Sequence, residues 1–433
     1  MKYNCKTGQS MHGLLSELFP INRSITGQGV RDTIAIISRE ISIKQTKVKS
    51  GSRVFDWTVP NEWNVTSAKI YDSSGKLIVD FSDNNLFLMS YSVSADCTMS
   101  LSELKKHIIT DQTRPDWVPY STSYYKDSWA FCLPYNFIRN LKDDNYSVKI
   151  DATKEPGELI YAEAFIDNNA QKEVLISSYI CHPSMANDSL SGVVLSIQLY
   201  KEIKKLKNLN YNYRFLFAPE TIGTISFLHK NKETIKESVE YGLVATCVGD
   251  KGEFTYKNTR KGNCNIDKIV DYIFKKYNIS DRILKFSPLG SDERQYCSPG
   301  FDLPVGVLTR SMFGQFNEYH TSADNLDFVK AEYLQESLNM YLEIVKTYEV
   351  NCKFIRAQPF CEPQMGKYDL YRATGGGGED SISELAQQRM WILNYADGTT
   401  DLLEISKKSG FDIFSLKSAS QALIENKLIS MAF

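Results

Sequence analysis

A buried strand followed directly by a polar loop and a helix constrains this chain more than any other stretch. Residues 173–180 are apolar and rich in β-branched side chains, which predicts a strand covered on both faces. Residues 193–203 have the apolar spacing of a helix. The loop between them carries His182 and Asp188. Open α/β sheets place their sites in loops at the carboxyl ends of parallel strands, so this loop is the first candidate site.

Imidazole and carboxylate together suit zinc, which makes His182 and Asp188 candidate metal ligands. The same two residues are also compatible with an Asp188 helix cap beside an ordinary loop histidine. The chain has five histidines, and one of the others, His320, lies in a second polar stretch. Any metal site that uses several histidines must be built from this small set.

Strands and helices alternate beyond this first unit. Strands are predicted at residues 146–150, 158–166, 213–218, 241–248 and 303–308, and helices at residues 193–205, 222–231, 266–277 and 330–349. This alternation predicts an α/β fold in which a largely parallel sheet carries helices on both faces, giving three layers.

The character of the sequence changes over residues 51–114. Short strands are predicted there, at residues 54–59, 68–72 and 76–81. Residues 72–75 read Asp-Ser-Ser-Gly and predict a hairpin turn between the last two strands. We interpret the stretch as a small β-rich domain inserted into the α/β domain, which we assign to residues 1–50 and 115–360.

The C-terminal part is predicted to form a separate unit. Residues 361–380 are assigned to a linker, because residues 375–378 are four glycines with no side chains to pack. Residues 381–433 follow. Short helices are predicted there, at residues 381–394, 397–410 and 416–426. With a terminal β-like piece they are typical of a winged helix-turn-helix domain. Its few basic residues form no stripe, so nucleic-acid binding, protein contact and dimerisation all stay open.

The composition excludes several classes of protein. A formal net charge of −2 provides no field that favours nucleic acid or an anionic membrane. No apolar run approaches the roughly 20 residues of a membrane span, and the first eight residues are not followed by the apolar core of a signal peptide. Nine dispersed cysteines without C-x-x-C pairs indicate reduced thiols. We expect a cytoplasmic protein that acts on a small molecule or peptide without a membrane partner, and a homo-oligomer stays open.

Three more strand ends carry candidate chemistry. An apolar strand over residues 214–218 ends close to Glu220, whose carboxylate beside a metal could move a proton from water to a leaving group. The alternative for Glu220 is an acid in the first turn of a helix, favoured by the helix dipole. Asp250 follows the next strand. His320 precedes Asp324, which is a candidate to orient a loop or a ligand.

Taken in chain order, the motifs around His182, Asp188, Glu220 and His320 resemble those of the zinc aminopeptidases that have a di-zinc, phosphorylase-like α/β fold. The resemblance implies that His182, Asp188 and His320 bind metal and that Glu220 is the general base. More specifically, the whole chain is similar to a group of bacterial aminopeptidase-like proteins with an inserted β module and a C-terminal winged helix. The shared stretches are residues 23–27, 119–125, 181–184, 219–223 and 318–322.

Two departures from the family pattern bear on the number of metal ions. The second Glu of the family's Glu-Glu pair is Thr221 here, and Cys247 stands where the family has a strand-end Asp. A single zinc held by His182, Asp188 and His320, with water in the fourth position, is therefore favoured over two.

Further residues are candidates for substrate binding or for a second metal: Asp250, Asp292, Glu293, Arg294, Glu318 and Tyr319. An acidic side chain could bind a free amino group, whereas Arg260, Arg294 or Arg310 could bind an anionic group. Tyr319 could donate to an oxyanion or simply pack. Arg23 could bind a substrate carboxylate or pair with a surface acid.

The resemblance implies a zinc-dependent hydrolase that cleaves an amide or peptide bond by metal-activated water. Two other interpretations stay open. One is an amidase or deacylase that acts on an amino-sugar conjugate, because related proteins are often linked to surface-polysaccharide synthesis. The other is a ligand-sensing regulator whose winged helix contacts DNA.

Overall fold

The computed structural model describes residues 6–370 and 383–432, so the four glycines at 375–378 lie outside the described part. The chain divides into two compact units, with the boundary between Tyr341 and Leu342. Among the described helices, none combines the length and the apolarity needed to cross a bilayer.

An eight-stranded mixed sheet forms the core of the first unit. In spatial order its strands are Lys44–Lys49, Glu158–Ile166, Asn212–Ala218, Glu173–Tyr179, Val239–Ala245, Val305–Thr309, Thr255–Lys257 and Ile283–Leu284. The strand before the His182 loop is central and pairs in parallel with both of its neighbours. The carboxyl ends of these parallel strands therefore lie at one edge of the sheet, where the polar loops begin.

Helices cover both faces of this sheet. The longer helices of the first unit are Lys6–Leu18, Gln28–Glu40, Gly192–Ile203, Ile222–Lys230, Lys232–Ser238, Asn265–Lys276 and Ala331–Val350. Shorter helices are Tyr135–Arg139, Glu293–Tyr296 and Leu101–Leu104, and the last of these contacts the strands Ala95–Ser100 and Asn145–Glu155 of a separate sheet. Consecutive residues of a strand point to opposite faces. Ser178 shares a hydrogen bond of 2.8 Å with Ser196 on one helix, whereas Ser177 accepts one of 2.8 Å from the hydroxyl of Tyr296 on another. The predicted three-layer α/β fold is confirmed.

A separate four-stranded antiparallel sheet forms the β-rich module. Its strands, in spatial order, are Leu77–Asp80, Glu62–Tyr71, Asn145–Glu155 and Ala95–Ser100. The hairpin turn predicted at residues 72–75 is confirmed, because Asp72 Oδ1 accepts the backbone N–H groups of Ser74 and Lys76, each at 3.0 Å. Gly75 there has a φ of +82°, which glycine adopts without strain.

The module takes one strand from outside the range 51–114 that we assigned to it. Asn145–Glu155 pairs with Glu62–Tyr71 on one side and with Ala95–Ser100 on the other. A ten-residue strand such as Glu62–Tyr71 has backbone donors and acceptors along both edges, and this later strand satisfies one edge. The chain therefore completes the module before it returns to the main sheet at Glu158–Ile166.

Residues 54–59 form a small hairpin and not the single strand that their composition predicts. Arg53–Val54 pairs with Trp57–Thr58, and Phe55 between them has a φ of +53°. The backbone reverses at this point, and it leaves the Trp57 side chain 40% exposed.

The second unit has the winged helix-turn-helix arrangement. Its strands are Lys353–Arg356, Asp397–Asp401 and Ile429–Ala432, and its helices are Glu384–Tyr395, Leu402–Ser409 and Ile413–Glu425. The helix predicted to start at residue 397 begins later, because residues 397–401 pair with Lys353–Arg356 as a strand. Asp401 caps the helix by accepting the Glu404 N–H at 2.8 Å, and Gly410 ends it with a φ of +78°.

The last helix of this unit presents a face with little positive charge. Its exposed residues are Phe414, Ser418, Gln421 and Glu425. Lys417 lies with its Nζ 3.3 Å from Cys352 Sγ. Phosphate neutralisation supplies most non-specific DNA affinity, and this face offers none, so DNA binding stays a prediction.

An ion-paired group at the first unit's sheet is expected to dominate local stability. Arg214 donates to Glu173 through Nε at 2.9 Å and also contacts Glu163 through Nη1, and all three side chains are at least four-fifths buried. Removing the cation would leave two buried carboxylates without a partner.

We predict that Arg214→Gln lowers the free energy of unfolding by about 3–5 kcal/mol, the usual cost of breaking a buried ion pair from one side. Urea denaturation at neutral pH measures this. Lys47→Gln is the control, because the Lys47–Glu158 pair is more than half exposed at the lysine and should matter by less than about 1 kcal/mol. Equal effects of the two substitutions would contradict this account.

Candidate metal centre and active site

Three predicted ligands converge at the edge where the parallel strands end. Candidate ligand atoms of His182, Asp188 and His320 all lie within 4.8 Å of one another. Asp188 Oδ2 is 3.0 Å from His320 Nε2, and the two imidazole centroids are 5.5 Å apart. Residues more than 130 positions apart in sequence therefore meet at one point.

The geometry of this cluster suits a zinc ion. Asp188 Oδ2 and His320 Nε2 are both buried, and neither is aligned in a hydrogen bond despite their proximity. Tetrahedral zinc with bonds of about 2.0–2.2 Å separates its ligand atoms by roughly 3–4 Å, and the 3.0 Å between Asp188 Oδ2 and His320 Nε2 lies at the short end of this range. Burial also lowers the pKa of His182 to about 4, so its imidazole is neutral at pH 7, as a metal ligand must be.

Asp324 joins the two loops that carry the ligands. Its Oδ1 accepts the Asn187 N–H at 2.6 Å, and its Oδ2 accepts the Asp188 N–H at 2.9 Å. Burial raises the pKa of Asp324 to about 8 although these two donors oppose the shift. The predicted orienting role of Asp324 toward a loop corresponds to these contacts.

The Asp188 loop is also fixed against the sheet. A Cβ at Gly192 would lie 1.9 Å from the carbonyl oxygen of Ala245, so glycine is needed for the helix to begin there. Ser191 donates to the Asn187 carbonyl at 2.6 Å and accepts from the Val248 N–H at 3.0 Å. These contacts explain the Asn-Asp-Ser-Leu-Ser-Gly sequence of the loop.

The other carboxylate oxygen of Asp188 has partners of its own. The Tyr179 hydroxyl donates to Asp188 Oδ1 and also lies 2.7 Å from the Thr246 hydroxyl. Burial raises the pKa of Asp188, but the nearby imidazoles of His182 and His320 and the Tyr179 hydroxyl bring it down to about 2. Asp188 is therefore ionised at neutral pH, with one oxygen fixed and the other directed at the ligand cluster.

Arg23 holds the His182 loop by hydrogen bonds to backbone carbonyls. It is placed neither to bind a substrate carboxylate nor to pair with a surface acid, the two roles that its sequence position suggested. It is fully buried, so it contacts neither a substrate nor a surface acid. Its Nε donates to the His182 carbonyl at 2.9 Å and its Nη1 to the Leu18 carbonyl at 2.6 Å. Sequence alone does not distinguish a buried arginine that binds carbonyls from an exposed one.

Glu220 lies beside the ligand cluster, and it also forms a second group with Cys181 and His182, whose candidate ligand atoms lie within 4.8 Å of one another. Its Oε2 is 3.8 Å from His182 Nε2, and its Oε1 accepts from the Ser291 hydroxyl at 3.1 Å. Burial raises the pKa of Glu220 well above its usual range, and the charges of Asp292 and Asp188 raise it further. A carboxylate beside a metal site can accept a proton from water and pass it to a leaving group.

The stretch at residues 119–125 is both a pocket wall and a packed crossover. The Tyr120 N–H donates to the His320 carbonyl at 2.8 Å, and the Tyr120 ring lies 5.3 Å from that of His182 and 5.2 Å from that of His320. Arg114 supports the same region by donating to the Tyr319 carbonyl at 3.0 Å. This aromatic-rich segment therefore packs against the His320 loop, and its residues Tyr124 and Tyr125 line a cavity that also includes Glu220.

Two residues predicted to bind substrate or a second metal, Asp250 and Glu293, lie outside the cluster. Each is bound to neighbouring side chains. Asp250 is buried and accepts from Asn187 Nδ2 at 2.8 Å and from the Ser311 hydroxyl at 2.7 Å. Glu293 is fully buried and pairs with Lys257 Nζ at 2.6 Å. Neither carboxylate is placed to receive a substrate amine.

The other candidates lie around Glu220 or the His320 loop. Asp292 is buried and accepts the Thr221 N–H and the Thr224 hydroxyl, each at 2.8 Å. Arg294 donates to the Thr221 hydroxyl at 3.1 Å. The Glu318 side chain has no hydrogen bond or ion pair within the described part of the chain.

The Tyr319 ring stacks on His320, with centroids 3.9 Å apart. Tyr319 also lines a cavity together with Glu220. It therefore packs against His320 and still borders the candidate active site.

Sequence reasoning missed Tyr179, Thr246 and Ser291, which bind the ligand Asp188 or the candidate base Glu220. Tyr179 and Thr246 lie at the ends of adjacent parallel strands, the same signal that located His182. Hydroxyl groups at strand ends are common, so this signal becomes informative only after the carboxylates are placed.

The fold and the ligand cluster define an aminopeptidase-like α/β protein with a C-terminal winged helix. The zinc aminopeptidase BSAP from Bacillus subtilis has a similar fold, with a TM-score of 0.57 at 13% identity over 79% of this chain and 95% of that chain. At this identity the likeness concerns the fold.

Family models assign both parts of the chain. A model described as a domain of unknown function, DUF4910, matches residues 12–351, and a winged helix-turn-helix model matches residues 353–431. The chain belongs to the DUF4910 family.

Close relatives extend over the full chain. A Clostridium acetobutylicum protein named "Putative polysaccharide biosynthesis protein with aminopeptidase-like domain" is 47% identical over 426 residues, which is 98% of this chain and 97% of that protein. A crystal structure from the same organism has a TM-score of 0.90 at 45% identity, covering 99% of this chain and 97% of that one.

We predict that His182→Ala and His320→Ala each lower zinc affinity by more than about 100-fold, because partners outside the ligand shell alone contribute 10–100-fold. Elemental analysis after dialysis measures retained zinc, and circular dichroism checks the fold. His229→Ala is the matched control, since His229 is exposed, contacts Phe55 edge to face and does not belong to the candidate ligand groups. Stoichiometric zinc in both ligand variants would place the metal elsewhere.

Proposed function

We propose that this protein is a zinc-dependent hydrolase that cleaves an amide or peptide bond, with Glu220 as the general base. The observation that carries the proposal is the convergence of His182, Asp188 and His320 with an unligated carboxylate beside them. Glu220 Oε2 lies 3.8 Å from His182 Nε2. This distance is too long for a hydrogen bond to His182, but it is short enough for Glu220 to act on a water held at the cluster.

Zinc bound by the three ligands would activate a water near neutral pH and polarise the substrate carbonyl. The Glu220 carboxylate accepts the proton that the attacking water loses. It then donates this proton to the leaving nitrogen as the carbon–nitrogen bond breaks. Ser291 holds one oxygen of Glu220, which leaves Oε2 on the side of His182 for the proton transfers.

We propose one metal ion and not two. Asp250 and Glu293, two of the residues that could replace the missing ligands, are bound to Ser311 and Lys257. Thr221 donates its N–H to Asp292, so this segment is already committed to a structural contact. The remaining substitutes, Glu318 and Cys247, do not belong to the ligand cluster described here.

A second candidate function is hydrolysis of an N-acylated amino sugar or its conjugate. The relative's printed name links that protein to polysaccharide biosynthesis, which supports this candidate. A peptide substrate with a free amino terminus would need an acid near the metal, and Glu318 is the one candidate acid here without a partner in the described chain. Comparing N-acyl sugars with aminoacyl amides as substrates separates the two candidates.

We predict that Glu220→Gln keeps zinc binding but lowers turnover by about two to four orders of magnitude, the usual contribution of a general acid–base group. A panel of aminoacyl amides and N-acyl amino sugars identifies the substrate in the unaltered protein, and the same assay is then applied to the variant. The control is Glu233→Gln, whose side chain is 80% exposed. Full zinc content with unchanged turnover would reject the role of Glu220.

A further inference from the structure

Two cavities meet at Glu220. One, of about 250 Å³, is lined by residues that include Trp57, Tyr125 and Arg294, and we call it the aromatic cavity. The other, of about 360 Å³, is lined by residues that include Leu289, Phe313 and Tyr319. Glu220 belongs to both walls, so a substrate whose scissile bond lies at Glu220 extends into a different environment on each side.

The aromatic cavity has a wall suited to a flat apolar surface. Trp57 and Tyr125 contact each other edge to face, with ring centroids 5.9 Å apart, and they are 40% and 51% exposed. Tyr124, Ile25 and Ile222 complete this apolar lining. Large aromatic side chains that remain exposed beside a pocket are typical of ligand contact, where rings stack on the apolar face of a bound ring.

Arg294 is the cation of this cavity. Its Nη2 donates to the Thr221 hydroxyl at 3.1 Å, and its Nε is buried without a hydrogen-bond partner. Among the residues that the structure describes, no carboxylate forms an ion pair with it. Apart from the bond from Nη2 to Thr221, this guanidinium has no hydrogen bond in the described residues, so donors other than the buried Nε are open to an anion in the cavity.

The other two arginines considered as anion ligands are already paired. Arg260 contacts Asp302 at 3.0 Å, and Arg310 contacts Glu336 at 2.8 Å. The two acids that precede Arg294 in sequence are also occupied. Glu293 pairs with Lys257 Nζ at 2.6 Å, and Asp292 uses its two oxygens for Thr221 and Thr224. Arg23 also has a nitrogen without a hydrogen bond, but it is fully buried, whereas Arg294 lines the cavity and keeps donors for a ligand.

We propose that the substrate carries a carboxylate that Arg294 binds in the aromatic cavity, with a flat apolar face of the same molecule against Trp57 and Tyr125. This rests on the proposed function, because the cavity is a substrate subsite only if Glu220 acts at the scissile bond. Guanidinium binds carboxylate through two parallel hydrogen bonds, which fixes orientation as well as charge. The chemistry fits an N-acylated acidic sugar and an N-acyl amino acid with a ring.

The test is direct binding, measured by calorimetry on zinc-loaded Glu220→Gln protein so that no probe is consumed. The probes are N-acetylneuraminic acid and N-acetyl-L-phenylalanine, each compared with its uncharged methyl ester. We expect one acid to bind about 10–100-fold more tightly than its ester, the contribution of hydrogen bonds between charged groups. The acid that binds identifies the source of the carboxylate.

Variants made in the same Glu220→Gln background locate the contact. Arg294→Gln should remove the preference for the acid while affinity for the ester changes less than about twofold. Arg294→Lys should keep part of the preference, because lysine supplies charge without the bidentate geometry. Arg260→Gln is the control and should leave the preference intact. Trp57→Ala should weaken acid and ester alike.

Equal binding of acid and ester, a preference that survives in Arg294→Gln, or affinities weaker than about 10 mM for both acids would each overturn the proposal. These outcomes are distinct from failure of the proposed hydrolase. A protein that never hydrolyses any amide could still show an Arg294-dependent preference for the acid. Conversely, a working hydrolase that binds esters as well as acids would refute the carboxylate subsite alone.

Discussion

One buried carboxylate, Asp324, connects the two loops on which the site depends. It accepts the backbone N–H groups of Asn187 and Asp188 and lies four residues after His320. The loop that carries Asp188, at the centre of the sheet, is thereby tied to the loop that carries His320, which follows the strand Val305–Thr309. Because both oxygens of Asp324 are occupied by backbone donors, the relative position of Asp188 and His320 is set before any metal binds.

Further contacts extend this constraint into the sheet and the helices. Asn187 donates to Asp250, which in turn holds Ser311 beyond the strand Val305–Thr309. Tyr179 fixes one oxygen of Asp188 from the central strand. Asp250 and Glu293, which were candidates for a second metal, thus bind neighbouring side chains and stabilise the fold. For this physical reason we propose a single metal ion, with Glu220 beside it and not among its ligands.

The sequence was sufficient to predict the fold and the convergence of His182, Asp188 and His320, because parallel strands gather their carboxyl ends at one edge. His182 and Glu220 each follow such a strand. It was insufficient where burial decides a role. Arg23 binds carbonyls inside the protein, and Asp250 binds neighbouring loops, yet both look like surface polar residues in sequence. Local patterns likewise predicted a helix at residues 397–401, where pairing with Lys353–Arg356 makes a strand.

The most direct test of the account is anomalous X-ray diffraction from crystals of the zinc-loaded protein, recorded on both sides of the zinc edge. The account predicts one anomalous peak, bonded at about 2.0–2.2 Å to Asp188 Oδ2, to His320 Nε2 and to an imidazole nitrogen of His182, with Glu220 outside the bonding distance. A peak centred on other side chains, or a second peak of equal height that uses Glu220 as a ligand, would contradict it.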